Sequence, residues 1–276
     1  MNEIFNFNRF WTYFKYDLKQ MWRNHSKAAI LIGGASAIIY VLWVLASLVF
    51  AQRWIAPPMV ARGIVFGLAY TILIIYTART YGHLTEKKSG SAWLMIPASK
   101  AEKFVSMLLM TLIVIPVLFF VVYFAIDGFL SLVDPTYGQA LITGISGLYT
   151  TAVNMITNLG AEFPITFSPS SLIFPSIISL FSNFLYFLLC GICFKKNKLG
   201  SAIAILFALS LGMSLITGLL VPWLAGSVNW NFMANIDEME AAQWLVNIMN
   251  AMVILECIIT VGLGWGVWRR IKTLQH

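Results

Sequence analysis

Long apolar runs separated by short polar stretches dominate the chain. Six stand out, at about residues 28–51, 59–78, 104–126, 172–194, 199–223 and 244–268. Each has roughly the 20 residues that a helix rising ~1.5 Å per residue needs to cross a hydrocarbon core of ~30 Å. Runs of this length exceed what a water-soluble core uses. The pattern predicts an all-α, polytopic membrane protein with six transmembrane helices. Pro116, inside the third run, is expected to kink its helix. Arg62 lies near one end of the second, where its long side chain can snorkel to the headgroups.

Ahead of the first run the pattern changes. Phe7, Phe10, Trp11, Phe14, Leu18, Met21 and Trp22 recur at three- and four-residue steps, flanked by Lys15, Lys19 and Arg23. This is an amphipathic stripe. Residues 1–27 therefore read as a cytoplasmic, interfacial helix lying in the membrane plane, and 28–276 as the six-span domain. The other reading, a soluble helix packed on a second domain, finds no such domain in this sequence.

Composition and charge give the spans a direction. The chain is 59% hydrophobic and 11% charged, with a mean hydropathy of +0.81, against about a quarter charged residues in soluble proteins. Its net charge of +7 is spread between the apolar runs rather than gathered on one face or stripe, so nucleic acid is not an expected partner. Six spans with both ends on one side put 16 of the 18 Lys and Arg residues on that side, leaving Arg53 and Arg62 opposite. The positive-inside rule assigns that side to the cytoplasm. The expected location is the cytoplasmic (inner) membrane, multi-pass, with both termini inside. Residues 140–159 are fairly apolar, but a seventh span there would flip Lys195, Lys196 and Lys198 outward. Residues 127–171 are therefore read as an external loop, with room for a short helix or re-entrant piece. The first 26 residues lack the apolar core of a cleavable signal peptide.

Polar residues inside the runs are candidates for chemistry. Glu256 falls at the midpoint of the sixth run, where a carboxylate costs ~2.5–3.5 kcal/mol to insert. Asn183 falls at matching depth in the fourth. Two readings stay open: a polar lining for a substrate or gating contact, or a protonated carboxyl satisfied by a neighbouring helix. In the fifth run Gly200, Ala204, Ala208 and Gly212 recur every fourth position, a close-packing face for another helix. It fits a dimer seam or packing within one bundle. Cys190, Cys193 and Cys257 all fall within apolar runs, which implies no disulfide framework and, without further Cys or His nearby, no metal site. No cofactor is expected. The sequence has no G-x-x-x-x-G-K-[ST], H-E-x-x-H or G-x-S-x-G, and His25, His83 and His276 lie outside the runs, so no enzymatic activity is expected of the chain itself.

Residues 79–104 differ from an ordinary connection. Within this charged stretch Trp93, Leu94, Met95 and Ile96 form an apolar knob, flanked by Glu86, Lys87 and Lys88 and closed by Pro97. Ser99 and Glu102 have the spacing of a capping box at the start of the next helix. A solvated loop and a membrane-lying amphipathic segment are two readings. A docking element for a cytoplasmic protein is the third, and the knob and the capped helix start favour it.

With the N-terminal helix and the six runs, residues 84–104, LTEKKSGSAWLMIPASKAEKF, resemble the small ABC-2-type permeases, the membrane subunits of bacterial ABC transporters. The likeness covers the layout of nearly the whole chain, and only this segment is residue-specific. It implies that residues 7–23 are an elbow helix. It also implies that Glu86, Lys87, Lys88, Trp93, Leu94, Met95, Ile96, Pro97, Ser99 and Glu102 carry a coupling contact with a separate ATPase subunit. The implied function is ATP-driven export of a hydrophobic, amphipathic or peptide-like substrate by a homodimer, or a pair of paralogous permeases, in the lipid bilayer. An alternative from another class is a non-transporting scaffold or sensor whose cytoplasmic loop recruits a partner. A channel or secondary carrier would show broken helices or an internal repeat, and the two halves of this sequence show no convincing repeat.

Overall fold

The computed structural model describes residues 5–85, 87–162, 170–227 and 238–273, and every element in them is helical. Asn6 opens the first helix, α1 (Phe7–Gly33), its side chain accepting from the backbone N–H groups of Asn8 and Arg9, as an N-cap does. The helix passes residue 27 unbroken. Good helix formers such as Ala28, Ala29 and Leu31 carry it on, and it bends only at Gly34, where α2 (Ala35–Phe50) departs at 44°. The break between the first two helices thus lies about two turns beyond residue 27, where the sequence reading divides the chain.

After α3 (Met59–Thr80) come a 3-10 turn, Gly82–Thr85, and a short helix, α4 (Lys87–Met95). α5 (Lys100–Leu109), a π turn at Met110–Val114 and α6 (Ile115–Val133) then run on as one 34-residue stretch. Pro116 cannot donate a backbone hydrogen bond, and its ring crowds the carbonyl four residues back. That residue, Leu112, sits in the wide π turn, which takes up the strain the sequence assigned to a kink.

A second 3-10 turn, Pro135–Tyr137, leads to α7 (Leu141–Glu162), α8 (Ser170–Cys193), α9 (Lys198–Ser227) and α10 (Glu238–Thr273). The expected external loop, 127–171, is mostly helix: Asp127 still belongs to α6, and α7 takes up 22 residues.

Among the described residues four helices are long and apolar enough to span a membrane: Met59–Thr85, Lys100–Val133, Phe174–Cys193 and Asn250–Thr273. The bent pair α1–α2 makes a fifth if it is one span, and Lys198–Gly212 counts as a shorter apolar helix. The chain is an all-helical protein with four to five candidate spans. α8 is the central helix, packed on α3 and α10. A Cβ on Gly191 of α8 would lie 2.3 Å from the Ala78 carbonyl oxygen, so the missing side chain sets how closely α3 and α8 approach. Tyr123, Phe184, Leu188, Ile192 and Val267 are fully buried, while Phe50, Phe129, Leu132 and Val261 point outward. An apolar exterior of that extent calls for a covering of lipid or protein.

Candidate functional site

Residues 79–104 fold as a braced hairpin against α1. Ser99 Oγ accepts the Glu102 N–H at 3.2 Å and Glu102 Oε2 accepts the Ser99 N–H at 2.8 Å, completing the capping box. Glu102 also reaches beyond its own helix. Oε1 accepts the Asn6 N–H at 2.9 Å, and Arg9 donates to both oxygens, Nε at 2.8 Å and Nη2 at 2.7 Å. Glu102 is fully buried, whereas the Arg9 side chain is 32% exposed. Burial by itself would raise the Glu102 carboxyl. The Arg9 guanidinium and the N–H groups of Asn6 and Ser99 outweigh it and hold the group at about 2. The glutamate that caps α5 therefore also fastens the start of α1. The stretch Lys100–Val133 is far longer than the ~20 residues of a span, so Glu102 and Lys103 stand on its extension ahead of the apolar run.

Trp93 turns inward. Its indole N–H donates to the Tyr13 hydroxyl at 3.0 Å. The Lys103 ammonium sits 4.6 Å over its ring and donates to the Trp93 and Leu94 carbonyls at 2.8 and 3.3 Å, neutralising the C-terminal end of α4. Burial pushes this lysine down to about 8, against the pull of neighbouring Glu102. Behind the tryptophan, the buried Asp17 carboxylate accepts from the Tyr81 hydroxyl at 2.9 Å and Ser106 Oγ at 2.8 Å. Burial raises its pKa, and those two hydrogen bonds oppose the rise.

The four-residue knob is thus divided. Trp93 is 7% exposed and Met95 82%. Leu94 and Ile96 are half-buried and Pro97 is exposed. Residues two apart on a helix do not face the same way, so Trp93 and Met95 cannot serve one surface. Trp93, Ser99 and Glu102 are internal struts; Met95 and Pro97 form the tip. Glu86 and the side chains of Lys87 and Lys88 lie outside the described residues. α1 is divided in the same way: Phe10, Tyr13 and Asp17 face the hairpin, and Phe7, Trp11, Leu18 and Trp22 face outward.

Glu256 and Asn183 line one cleft of about 570 Å³ with Phe66, Tyr70, Phe120 and Ser179. Among the described residues no hydrogen bond joins them. The Asn183 amide donates to the Ser179 carbonyl of its own helix at 2.8 Å. The small-residue face of α9 is open: Gly200, Ala204 and Ala208 are exposed, and a Cβ on Gly212 would meet nothing within 4 Å. Close packing falls instead on Gly191 and on buried Ala202, whose carbonyl accepts the Tyr186 hydroxyl at 2.8 Å.

The end of α3 remote from the hairpin holds a second junction that the sequence reading missed. Arg62 does not snorkel. It is buried against Asp127, Nη1 to Oδ1 at 3.3 Å, donates from Nη2 to the Gln139 carbonyl at 3.0 Å, and lies 4.1 Å over the Tyr137 ring. Asp127 also accepts the Tyr137 hydroxyl at 2.7 Å and the Leu141 N–H at 2.6 Å. Nearby, Asp134 accepts from the Tyr40 hydroxyl at 2.8 Å and the Trp54 indole at 3.0 Å. Burial works to raise the Asp134 carboxyl, but the donors on Trp54, Thr136 and Tyr40 prevail and hold it at about 2. One signal for the Arg62–Asp127 pair was present in the sequence: they carry opposite charges at the same end of consecutive apolar runs, and Arg62 is the one charged residue within 59–78.

The chain matches no protein-family model, no curated protein and no solved structure. Fold and sites define a class: an all-helical protein with four to five candidate spans, a braced hairpin at its basic end and a sealed ion pair at the other.

Proposed function

We propose that this chain is the membrane-spanning permease subunit of an ABC-type exporter. In this reading it performs no hydrolysis itself and couples ATP hydrolysis in a separate ATPase chain to movement of a hydrophobic, amphipathic or peptide-like substrate. The observation that carries the reading is the tip of α4, with Met95 82% exposed on a hairpin braced from behind by Tyr13, Arg9, Glu102 and Lys103. A simple connector has no use for such bracing, whereas a mechanical coupler requires it. A push at Met95 passes through Trp93 and Lys103 into α5. It then travels along a continuous 34-residue stretch, about 50 Å at ~1.5 Å per residue, as rigid-body rocking.

The finer picture follows from this reading. Six spans cross the inner membrane with the basic end in the cytoplasm. The outward Phe7, Trp11 and Trp22 of α1 rest among the headgroups. The open face of α9 packs on a second copy or a paralogue, so that two clefts bearing Glu256 and Asn183 frame the pathway.

This reading expects an ATPase with a phosphate loop to be encoded beside the gene, and the test is co-purification with it. Met95→Asp is expected to abolish it while changing stability by no more than about 0.5 kcal/mol, as for an exposed site. Trp93→Ala is expected to weaken both binding and stability, because it removes a packed strut. Undiminished co-purification of Met95→Asp would remove the coupling assignment and leave the scaffold reading in its place.

A further inference from the structure

A cavity of about 780 Å³ opens where the turn after α3 meets the start of α9; it shares the start of the 79–104 segment and Gly200 and Ala204 of α9, but none of the bracing side chains described above. Arg79, His83, Lys195 and Lys198 line it together with Asn197 and Ser201, and among the described residues no acidic side chain does. Its wall is built rather than incidental. The Lys198 ammonium donates to the Gly82 carbonyl. A Cβ on Gly82 would lie 3.1 Å from the Lys198 side chain, so glycine is what admits that approach. Asn197 takes a left-handed backbone, φ +50°, to turn the chain from α8 into α9, and its carbonyl accepts the Ser201 N–H at 2.8 Å. This places the first turn of a 30-residue helix in the cavity wall. The Leu199 and Gly200 N–H groups of that turn have no acceptor within the helix, and the helix end adds partial positive charge to the side-chain cations.

Four cationic side chains converging on one cavity, with no carboxylate among its described lining residues, favour an anion, and a tetrahedral phosphate matches both the ammonium and guanidinium groups and the backbone N–H donors. The apolar margin narrows the class further: Leu199 and Ala204 lead from the cavity onto the exposed Ile203 and Phe207 of α9. We propose that this cavity binds a phosphate-bearing anion, with an anionic phospholipid headgroup as the source that its apolar margin favours. The lipid source rests on the membrane reading above; the phosphate chemistry does not.

The experiment uses the full-length protein in neutral detergent, examined by native mass spectrometry with dioleoyl phosphatidylglycerol or dioleoyl phosphatidylcholine. A parallel thermal-shift series uses millimolar inorganic phosphate. Arg79→Gln and Lys195→Gln alter exposed side chains and leave Lys198 in its structural bond; monodisperse elution checks that the variants are folded. Wild type is expected to retain one phosphatidylglycerol. Binding should fall about fivefold per charge removed and roughly thirtyfold in the double variant, with phosphatidylcholine indifferent throughout. If inorganic phosphate stabilises wild type but not the double variant, and phosphatidylglycerol shows no preference, the site stands and the lipid source is overturned. Equal phosphatidylglycerol retention by wild type and double variant, with no phosphate effect, overturns the site itself. Thiol labelling of Lys196→Cys in intact cells separates this from the membrane orientation: labelling from outside would overturn the orientation and the lipid assignment drawn from it, whatever the detergent result.

Discussion

Two arginine–carboxylate junctions hold the two ends of the helix bundle, and they are built on different terms. Arg62 and Asp127 have side chains only 3% and 1% exposed and meet at 3.3 Å. The pair is sealed, and the Arg62 Nε finds no acceptor. At the hairpin end Glu102 is equally buried, but Arg9 grips it at 2.7 Å from a side chain that still sees solvent. A sealed pair cannot lose one partner without stranding the other's charge in a medium that solvates it poorly. A half-open pair loses its carboxylate at smaller cost, because the Arg9 side chain already reaches solvent, whereas loss of Arg9 would strand the buried Glu102. The first is a clamp that fixes α3, α6 and the start of α7. The second is a latch with one partner in contact with solvent, at the end that must respond if the chain receives mechanical work from a partner.

The largest expected effect comes from breaking the clamp. Asp127→Ala leaves Arg62 uncompensated and takes an acceptor from the Tyr137 hydroxyl and the Leu141 N–H, at about 3–5 kcal/mol. The apparent melting temperature in detergent reads this directly. A loss below about 1 kcal/mol, the scale of an exposed pair, would erase the contrast. Asp127→Asn keeps an acceptor oxygen and should fall between the two.

The latch comes next. Glu102→Ala removes acceptors from Asn6, Ser99 and Arg9 together, yet Arg9 rehydrates, so about 1–3 kcal/mol is expected. Arg9→Ala combined with Glu102→Ala should cost less than the sum of the two single changes, since both remove the same ion pair. A Glu102→Ala penalty equal to that of Asp127→Ala would mean that the hairpin end is clamped as firmly as the other. Acid should act in the same direction. The carboxyl is depressed to about 2 in the folded chain, so its contribution is present above the ordinary glutamate value and is lost as pH falls from ~4.5 toward 2.

What could be read from the sequence follows how local each feature is. The apolar runs and the Ser99–Glu102 capping box depend on near neighbours; the capping box is where the spacing put it, and the runs are helical, although the first is broken at Gly34. The inward turn of Trp93 depends on Tyr13, 80 positions away, and a nine-residue helix is too short for its own periodicity to reveal the buried face. The Arg62–Asp127 clamp joins residues 65 apart and shows only once α3 and α6 are known to be neighbours. Small residues permit close packing without choosing the partner: within this chain the close approach falls on Gly191 and Ala78, and the α9 stripe is left open. Residues 140–159 read as part of an external loop because a span there would turn Lys195, Lys196 and Lys198 outward, an argument about crossing the membrane that does not bear on whether the segment is helical. Tertiary anchoring of the Leu141 N–H on Asp127 helps start a helix that propensity alone would not favour.

The smallest expected effect tests whether the latch end carries a cost that the clamp end avoids. Asp17 is buried under α5 with its pKa raised, burial outweighing the hydrogen bonds from Ser106 and Tyr81, and the charge of His83 also opposes the rise. The sign is opposite to that of Glu102. The folded chain binds this proton more tightly than the unfolded one, so the carboxyl contributes most below the ordinary aspartate value of ~3.8 and its contribution is lost as pH rises through the elevated folded value. Asp17→Asn keeps an oxygen for Tyr81 or Ser106 and removes the buried charge. At neutral pH it should be neutral or stabilising by up to about 1 kcal/mol, roughly 2–4 °C for a chain of this size. The advantage of Asp17→Asn over wild type should shrink as pH falls toward 4. An advantage independent of pH would show that the Asp17 charge adds no strain to the latch, and the readiness of that end to open would then rest on Arg9 and Glu102 alone.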